Sequence, residues 1–409
     1  MSFNLRIACV MVGLPARGKT YISQKVCRYL TWLGINTKVF NVGNYRRQLH
    51  GANLSHTFFD PHNPVGKQQR REAAEAALKD LIRWFNEEEG IVAIYDATNS
   101  TRDRRKYIYD ELTKENVQVF FIESICQDEA VIMANIKDVK LSSPDYTNVD
   151  PDEAATDFRA RIDHYKDQYE TVTEQDYTYI KLINVGSQVI INMIQGYLES
   201  RIVYYLMNLH IAPRKIYMSR TAELLPYPKL QWKALEELDT GVCDGMTYEE
   251  IEEKYPEDYA NRDEDKFNYR YRGGESYRDL VLRLEPIIMD LERQQNILII
   301  GHQAILRCIY AYFMNYSHDD LPYIKIPLHN VIELTPKAYG CEEKRYKVDI
   351  EAVDTHRPKP TTVKKPVIGA NGQKSSSAGA SGEIVTEPMS QNLISAKLFP
   401  GTKRTGNAV

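Results

Sequence analysis

The residues with the clearest chemical potential are Gly13-Leu14-Pro15-Ala16-Arg17-Gly18-Lys19-Thr20, which fit the phosphate-loop pattern G-x-x-x-x-G-K-[ST] without a mismatch. In such a loop, backbone N–H groups wrap a phosphate at a helix N-terminus. The lysine then reaches the β/γ oxygens, and the threonine hydroxyl reaches a magnesium ion. A second carboxylate must steady that ion. Asp96 ends the apolar run Ile91 to Tyr95 and stands where a Walker B aspartate does, although an aspartate there can equally cap the next helix. Arginines recur after strand ends and suggest an anionic acceptor. Arg46 and Arg47 follow one strand, Arg70 and Arg71 open a helix, and Arg104 follows Asp96-Ala97-Thr98-Asn99. Arg161 lies on a long helix with Tyr165 at i+4. Guanidinium forks suit bidentate phosphate contacts, while any single one of them reads as readily as a solvated helix face.

These groups need an α/β scaffold, and the patterning supplies one. Ile7 to Val12 is a strand-length apolar run, and after the loop Ile22, Val26, Leu30 and Leu33 recur at helical spacing, closed by Gly34. Strands are expected at Val39 to Val42, Ile91 to Tyr95, Val117 to Ile122 and Tyr179 to Val185. Helices are expected through Ala73, Ala77, Leu81 and Phe85, over Glu129 to Val139, and through Phe158, Ile162, Tyr165 and Tyr169. This alternation predicts a mostly parallel sheet with helices on both faces, closed by one long apolar-rich helix from Gln188 to Asn208. Pro213 punctuates the chain. A second α/β unit follows, with strands at Lys215 to Ser219 and Asn296 to Ile300 and a helix through Tyr277, Val281 and Leu284. His302 lies just past the second of these strands, where open α/β sheets place ligands. The expected domains are 1–210 and 214–354, with 355–409 a disordered tail carrying eight Lys and Arg against two Glu.

Composition narrows the class. A chain of 409 residues, 43% apolar and 26% charged, has ample core for two domains. A net charge of −4 offers no reason to expect nucleic acid or an anionic membrane as partner, and no run approaches a membrane span. The six cysteines (9, 27, 126, 243, 308, 341) lack C-x-x-C spacing and read as reduced thiols of a cytoplasmic protein.

Several further stretches carry a family resemblance. Gly13 to Tyr21, Asn41-Val-Gly-Asn-Tyr-Arg-Arg47, Asp96-Ala-Thr-Asn99, Glu123-Ser-Ile-Cys126, Val139 to Tyr146 and Ser200 to Met207 together closely resemble 6-phosphofructo-2-kinase/fructose-2,6-bisphosphatase, over residues 5 to 360. The resemblance implies ATP-dependent phosphorylation of the 2-hydroxyl of fructose 6-phosphate, with Mg2+ and a homodimer formed through the kinase domain. It implies that Gly13 to Tyr21 and Asn135, Ile136, Lys137, Asp138, Val139 and Lys140 contact ATP. Arg46, Arg70, Thr98, Arg104, Arg161 and Tyr165 would hold the sugar phosphate, with Lys140 between the two substrates. Lys19, Lys140 and Asp96 would be catalytic, Thr20 and Asp96 the metal ligands, and Cys126 a second active-site position. A cysteine after a strand is also commonly a small buried hydrophobe.

The second half would be a histidine phosphatase. Glu237 matches its acid/base position, Tyr248, Arg262, Lys266 and Tyr277 match sugar-bisphosphate contacts, and Gly301-His302-Gln303-Ala304 with Arg307 matches the second-histidine motif. The nucleophile is absent. Lys215 to Arg220 resembles the strand that ends in the family's Arg-His-Gly, yet Thr221-Ala-Glu-Leu follows, text that belongs some fifty residues downstream in the family pattern. Bisphosphatase activity should therefore be lost, and a second domain stripped of a strand and a helix should be loosely packed. An alternatively spliced or mis-assembled chain accounts for the gap equally well. The family's usual N-terminal extension is also not seen ahead of Gly13. The rival functions are a non-catalytic partner that dilutes full-length subunits, a bifunctional enzyme with residual phosphatase, and a nucleoside or polynucleotide kinase.

Overall fold

The computed structural model describes residues 5–142, 144–146, 149–209, 214–220, 230–337, 340–354 and 356–359, without the side chains of 138–142 and 151. The tail from Pro360 onward and the Arg220–Thr221 junction's downstream side, 221–229, lie outside the described residues. The first half runs β1 (Ile7–Val12), α1 (Lys19–Trp32), β2 (Thr37–Asn41), α2 (Val42–His50), α3 (Pro64–Glu87), β3 (Val92–Asp96) and α4 (Arg102–Lys114). It continues with β4 (Gln118–Ile125), α5 (Glu129–Ser142), α6 (Pro151–Lys166), β5 (Thr178–Ile183), β6 (Gln188–Asn192) and α7 (Tyr197–Met207). The six strands form one sheet in the order β2-β3-β1-β4-β5-β6, all parallel except β6, which runs antiparallel to β5.

Every residue of β1 is fully buried, as a central parallel strand covered on both faces must be. Its alternate side chains divide between two cores. Ile7, Cys9 and Met11 pack with Ile22, Val26 and Leu30 of α1 and with α7, while Ala8, Val10 and Val12 pack with α3 and α4. The switch in strand order beside β1 opens a crevice at the carboxyl ends of the strands, and the phosphate loop sits there.

One expected helix is not found. Residues 188–208 form β6 and α7, because the β-branched run Val189-Ile190-Ile191 pairs with β5 and Met193, at φ 53, breaks the run before Gly196 opens α7. β2 also stops one residue earlier than expected. Asn41 ends it and caps α2, its side chain accepting the N–H of Asn44.

The second half comprises β7 (Lys215–Ser219), α8 (Tyr248–Lys254), α9 (Pro256–Glu264), α10 (Tyr277–Arg293), β8 (Asn296–Ile300), α11 (Gln303–Met314), β9 (Asn330–Pro336) and β10 (Cys341–Lys347). Its sheet has the order β10-β9-β7-β8, with β7 and β8 parallel and β9 antiparallel to β7. Loose packing was expected here, and the described residues depart from it. Ile216, Met218, Ile299, Leu334 and the apolar faces of α10 and α11 join the same hydrophobic cluster as α1 and α7. The two halves thus share a core.

Polar groups reinforce that junction. The carboxylate of Glu292 on α10 is fully buried and is met by Lys25 Nζ at 2.8 Å, Arg28 at 3.5 Å, Arg214 and the Tyr312 hydroxyl at 2.7 Å. Burial alone would raise the Glu292 carboxyl, but Lys25, Arg214 and Arg28 hold it well below the usual carboxylate range. Nearby, Glu285 accepts from Tyr29 at 2.6 Å and from Arg201, and the Tyr29 and Tyr205 rings stack at 4.3 Å.

Candidate active site

The loop between β1 and α1 has the backbone a phosphate cradle requires. Gly13, Ala16 and Gly18 have φ of 139°, 59° and 79°. A Cβ on Gly13 would meet the Ser124 carbonyl oxygen at 2.5 Å, so only glycine allows β1 to approach β4 this closely. The Gly13 N–H donates to Thr98 O at 3.0 Å, and Asn135 Nδ2 donates to Ala16 O at 3.0 Å. These contacts tie the loop to the turn after β3 and to α5.

Lys19 opens α1 and folds back to donate to Leu14 O at 2.6 Å. Burial pulls its ammonium down to about 8 against the attraction of Asp96, and the positive charges of Arg161 and Arg17 add to the shift. Asp96 is itself buried, which raises its carboxyl. The Thr20 hydroxyl, the Lys19 charge and the Asn41 amide, which donates at 2.6 Å, act in the other direction. Lys19, Thr20 and Asp96 therefore converge from two strand ends. The Asn99 amide donates to Met11 O at 2.8 Å and accepts from Arg104 Nε at 3.2 Å, holding that arginine over the site.

The other arginines meet around a residue the sequence did not single out. Asp145 is buried and accepts from Arg46, from Arg47 at 3.3 Å, and lies 3.8 Å from Arg161. Burial also lowers the Arg70 guanidinium, which feels Tyr165, Arg161, Asp60 and Arg104. Arg46, Arg70, Arg104, Arg161 and Tyr165 thus share one basin beside Lys19. Arg46 Nη1 and Arg161 Nε are buried there with no hydrogen-bond partner among the described residues. Buried donors are normally paired, so these two are available to an added acceptor.

Other expected positions are less engaged. Cys126 Sγ is half-buried and faces Asp128 O at 3.9 Å. Ile136 is core between α5 and α6. The side chains of Asp138, Val139 and Lys140 lie outside the described residues. Among the described residues no group of three His, Cys, Asp or Glu side chains could hold a metal, and no helix is long and apolar enough to cross a membrane.

In the second half, His302 Nδ1 lies 3.7 Å from Glu237, and Arg307 donates to Tyr277 at 3.1 Å and to Ile324 O at 2.8 Å. Arg262 lies over the Tyr248 ring at 4.5 Å and donates to Tyr271. Lys266 is lowered to about 7 by burial and by Arg262 and Arg307. Arg220 Nη1 donates to Ile326 O at 3.2 Å, and Gln303 begins α11. A cationic cradle is present among the described residues, with the acid Glu237 beside His302, and with His356 lowered by burial and by Arg307 and Lys266.

Residues 2–213 match the family model of 6-phosphofructo-2-kinase, and residues 218–349 match that of the histidine phosphatase superfamily, branch 1. The chain is 47% identical to a fructose-2,6-bisphosphatase of Saccharomyces cerevisiae, across 88% of this chain and 92% of that one. It is 46% identical to 6-phosphofructo-2-kinase/fructose-2,6-bisphosphatase 4 of Homo sapiens, across 88% and 89%. The chain belongs to the 6-phosphofructo-2-kinase/fructose-2,6-bisphosphatase family. The alignment with the yeast protein runs over 417 positions but takes in only 88% of these 409 residues, so more than fifty positions are filled in that relative alone. That shortfall has the length of the segment expected between Arg220 and Thr221.

Proposed function

We propose that this chain transfers the γ-phosphoryl group of ATP to the 2-hydroxyl of fructose 6-phosphate and does not hydrolyse the product. The observation that carries the reading is the basin beside Lys19, where three arginines surround the carboxylate of Asp145 and two buried guanidinium donors lack a partner among the described residues. Such an excess of fixed positive charge suits a phosphate monoester of a polar acceptor. Its distance from the loop is short enough for Arg161 to depress Lys19.

In this reading, backbone N–H groups of Gly13 to Thr20 cradle the nucleotide phosphates and Lys19 neutralises charge developing on the transferred group. Arg46, Arg70, Arg104 and Arg161 fix the sugar phosphate, so the 2-hydroxyl is presented in line. The Thr20 hydroxyl and Asp96 carboxylate fit a magnesium ion that takes its other ligands from water and substrate phosphates. That ion would supply charge neutralisation at the β- and γ-phosphates. The family's role for Lys140, between the substrates, rests on the resemblance.

Loss of bisphosphatase activity follows from the missing Arg-His-Gly, since His302 and Glu237 without a nucleophile can bind and protonate but cannot form a phosphohistidine. Pairing of two kinase domains is supported by β6, an edge strand exposing Ile190 and Ile191, followed by exposed Met193 and Tyr197. The decisive experiment incubates purified protein with ATP, magnesium and fructose 6-phosphate. An acid-labile sugar bisphosphate should form, and Lys19→Met should slow its formation on the order of 10³-fold. An unchanged rate in that variant would defeat the reading.

A further inference from the structure

The arginine basin is lined on one side by a single helical turn, His56–Phe59, in the connection between α2 and α3. Phe59 lies under the Arg161 guanidinium at 3.7 Å and within 5.5 Å of that of Arg46, and its ring is 6.3 Å from Tyr165. Phe58 lies 5.8 Å from the Arg70 guanidinium, and its carbonyl oxygen accepts from Arg70. Four of the expected sugar-phosphate residues thus lean on two adjacent rings. Where this turn sits decides where they point.

The turn is fastened at its first residue. The His56 backbone N–H donates to Asp157 Oδ1 at 2.8 Å, and the other oxygen of that carboxylate accepts from Tyr146 at 2.9 Å. The His56 ring stacks on His164 of α6 with centroids 5.5 Å apart, and its Nδ1 lies 3.2 Å from His164 Nε2. His164 directly precedes Tyr165 and follows Arg161 by three residues on the same helix. We infer that the His56–His164 pair is a pin that positions the sugar-phosphate arginines and makes their affinity for the sugar phosphate depend on pH. The inference rests on reading those arginines as sugar-phosphate ligands.

Two imidazole nitrogens can share a hydrogen bond only when one carries a proton and the other is bare. A singly charged pair still satisfies this. When both rings are protonated, two N–H groups and two like charges face each other and the bond is lost. Acidification is the condition that brings this loss about. The groups around the pair carry both signs of charge. Asp157 on α6 and the Asp150, Asp152 and Glu153 side chains line with His56 a cavity of about 680 Å³. Arg161 on α6 lies over Phe59 and Arg70 on α3 over Phe58 of the same turn, Asp60 follows that turn, Tyr146 donates to Asp157, and the Tyr165 ring is 6.3 Å from Phe59.

The test measures dissociation constants of fructose 6-phosphate and ATP by calorimetry on the full chain at about pH 8 and about pH 5.5. His164→Ala should weaken fructose 6-phosphate binding about fivefold at the higher pH, and the variant-to-wild-type ratio should be smaller at the lower pH. Titration of the substrate phosphate is common to both proteins and cancels in this ratio. His164→Gln, whose amide both donates and accepts, should recover most of the loss and bind with a flatter pH dependence than wild type. ATP affinity should move less than about twofold in either variant. A ratio near one at the higher pH, a ratio constant with pH, or an equal loss of ATP affinity would each overturn the pin. Should His164→Ala fail to fold, His56→Gln and His164→Gln decide by whether they flatten the pH dependence. Arg161→Ala separates the two readings. If it leaves fructose 6-phosphate binding unchanged, the basin reading has failed. If it costs on the order of 30-fold while the histidine variants cost nothing, only the pin has failed.

Discussion

The two sheets respond differently to what surrounds them. The six-stranded sheet is covered on both faces, so its central strand β1 is wholly buried. The four-stranded sheet ends at β8, an edge strand on which Leu298 remains 41% exposed. One of its faces is nonetheless densely packed, because α10 and α11 lean on α1 and α7 of the first half. A small sheet with an open edge can bury one face when a neighbour supplies the covering surface. The two cationic cradles differ in the same sense. In the function proposed here, the one beside Lys19, where Arg161 lies 3.8 Å from Asp145, carries out phosphoryl transfer, whereas the one around His302, 3.7 Å from Glu237, binds without an attacking atom.

The sharpest test of that contrast is chemical. Incubated with labelled fructose 2,6-bisphosphate, the chain should trap no phosphohistidine and should hydrolyse the ester on the order of 10⁶-fold more slowly than an intact relative. A trapped phosphoenzyme would erase the distinction between the cradles. The shared core is tested by Glu292→Ala, which leaves Lys25, Arg28 and Arg214 buried without their carboxylate. It should cost about 3–5 kcal/mol in urea unfolding, and both halves should lose stability together. Because the Glu292 carboxyl is held below its unfolded value, its contribution is present above the usual carboxylate range and is lost as pH falls through and below it. The variant should therefore show a shallower acid decline than wild type.

A smaller effect separates the cradles by pH. A bound anion keeps a lysine charged, so affinity is full below the free-state pKa and falls by up to about tenfold per pH unit above it. ATP binding should begin to weaken above about pH 8, following Lys19, whereas phosphate binding at the second cradle should weaken from about pH 7, following Lys266. Titration calorimetry across this range would expose a common onset if the two sites were alike. The smallest effect belongs to the open sheet face. Leu298→Lys should change the unfolding free energy by less than about 0.5 kcal/mol, whereas Val10→Lys, in the covered sheet, should cost several times that.

The phosphate loop was legible because its function is carried by consecutive backbone groups, which a short pattern can encode. Asp96 was legible from the apolar run that it ends. Asp145 was not, since its role arises from Arg46, Arg47 and Arg161, three residues from separate parts of the chain, and no spacing records their meeting. The helix expected over 188–208 failed on a local competition, in which a β-branched triplet found a partner in β5 that helical spacing could not reveal. The packing of the second half was misjudged for a related reason. The expectation of loose packing rested on that half alone, and α1 and α7 offer it a surface from the other.

Residue order therefore settled the α/β class, the phosphate loop, the carboxylate after β3 and the absence of an Arg-His-Gly triplet, all of them properties of contiguous segments. Assembly settled the rest: the carboxylate that gathers the arginines, the paired histidines beside them, and the buried Glu292 that joins the two halves. Each of these depends on charges and rings brought within a few ångströms from distant positions. Their energies exist only where the folded chain excludes water around them.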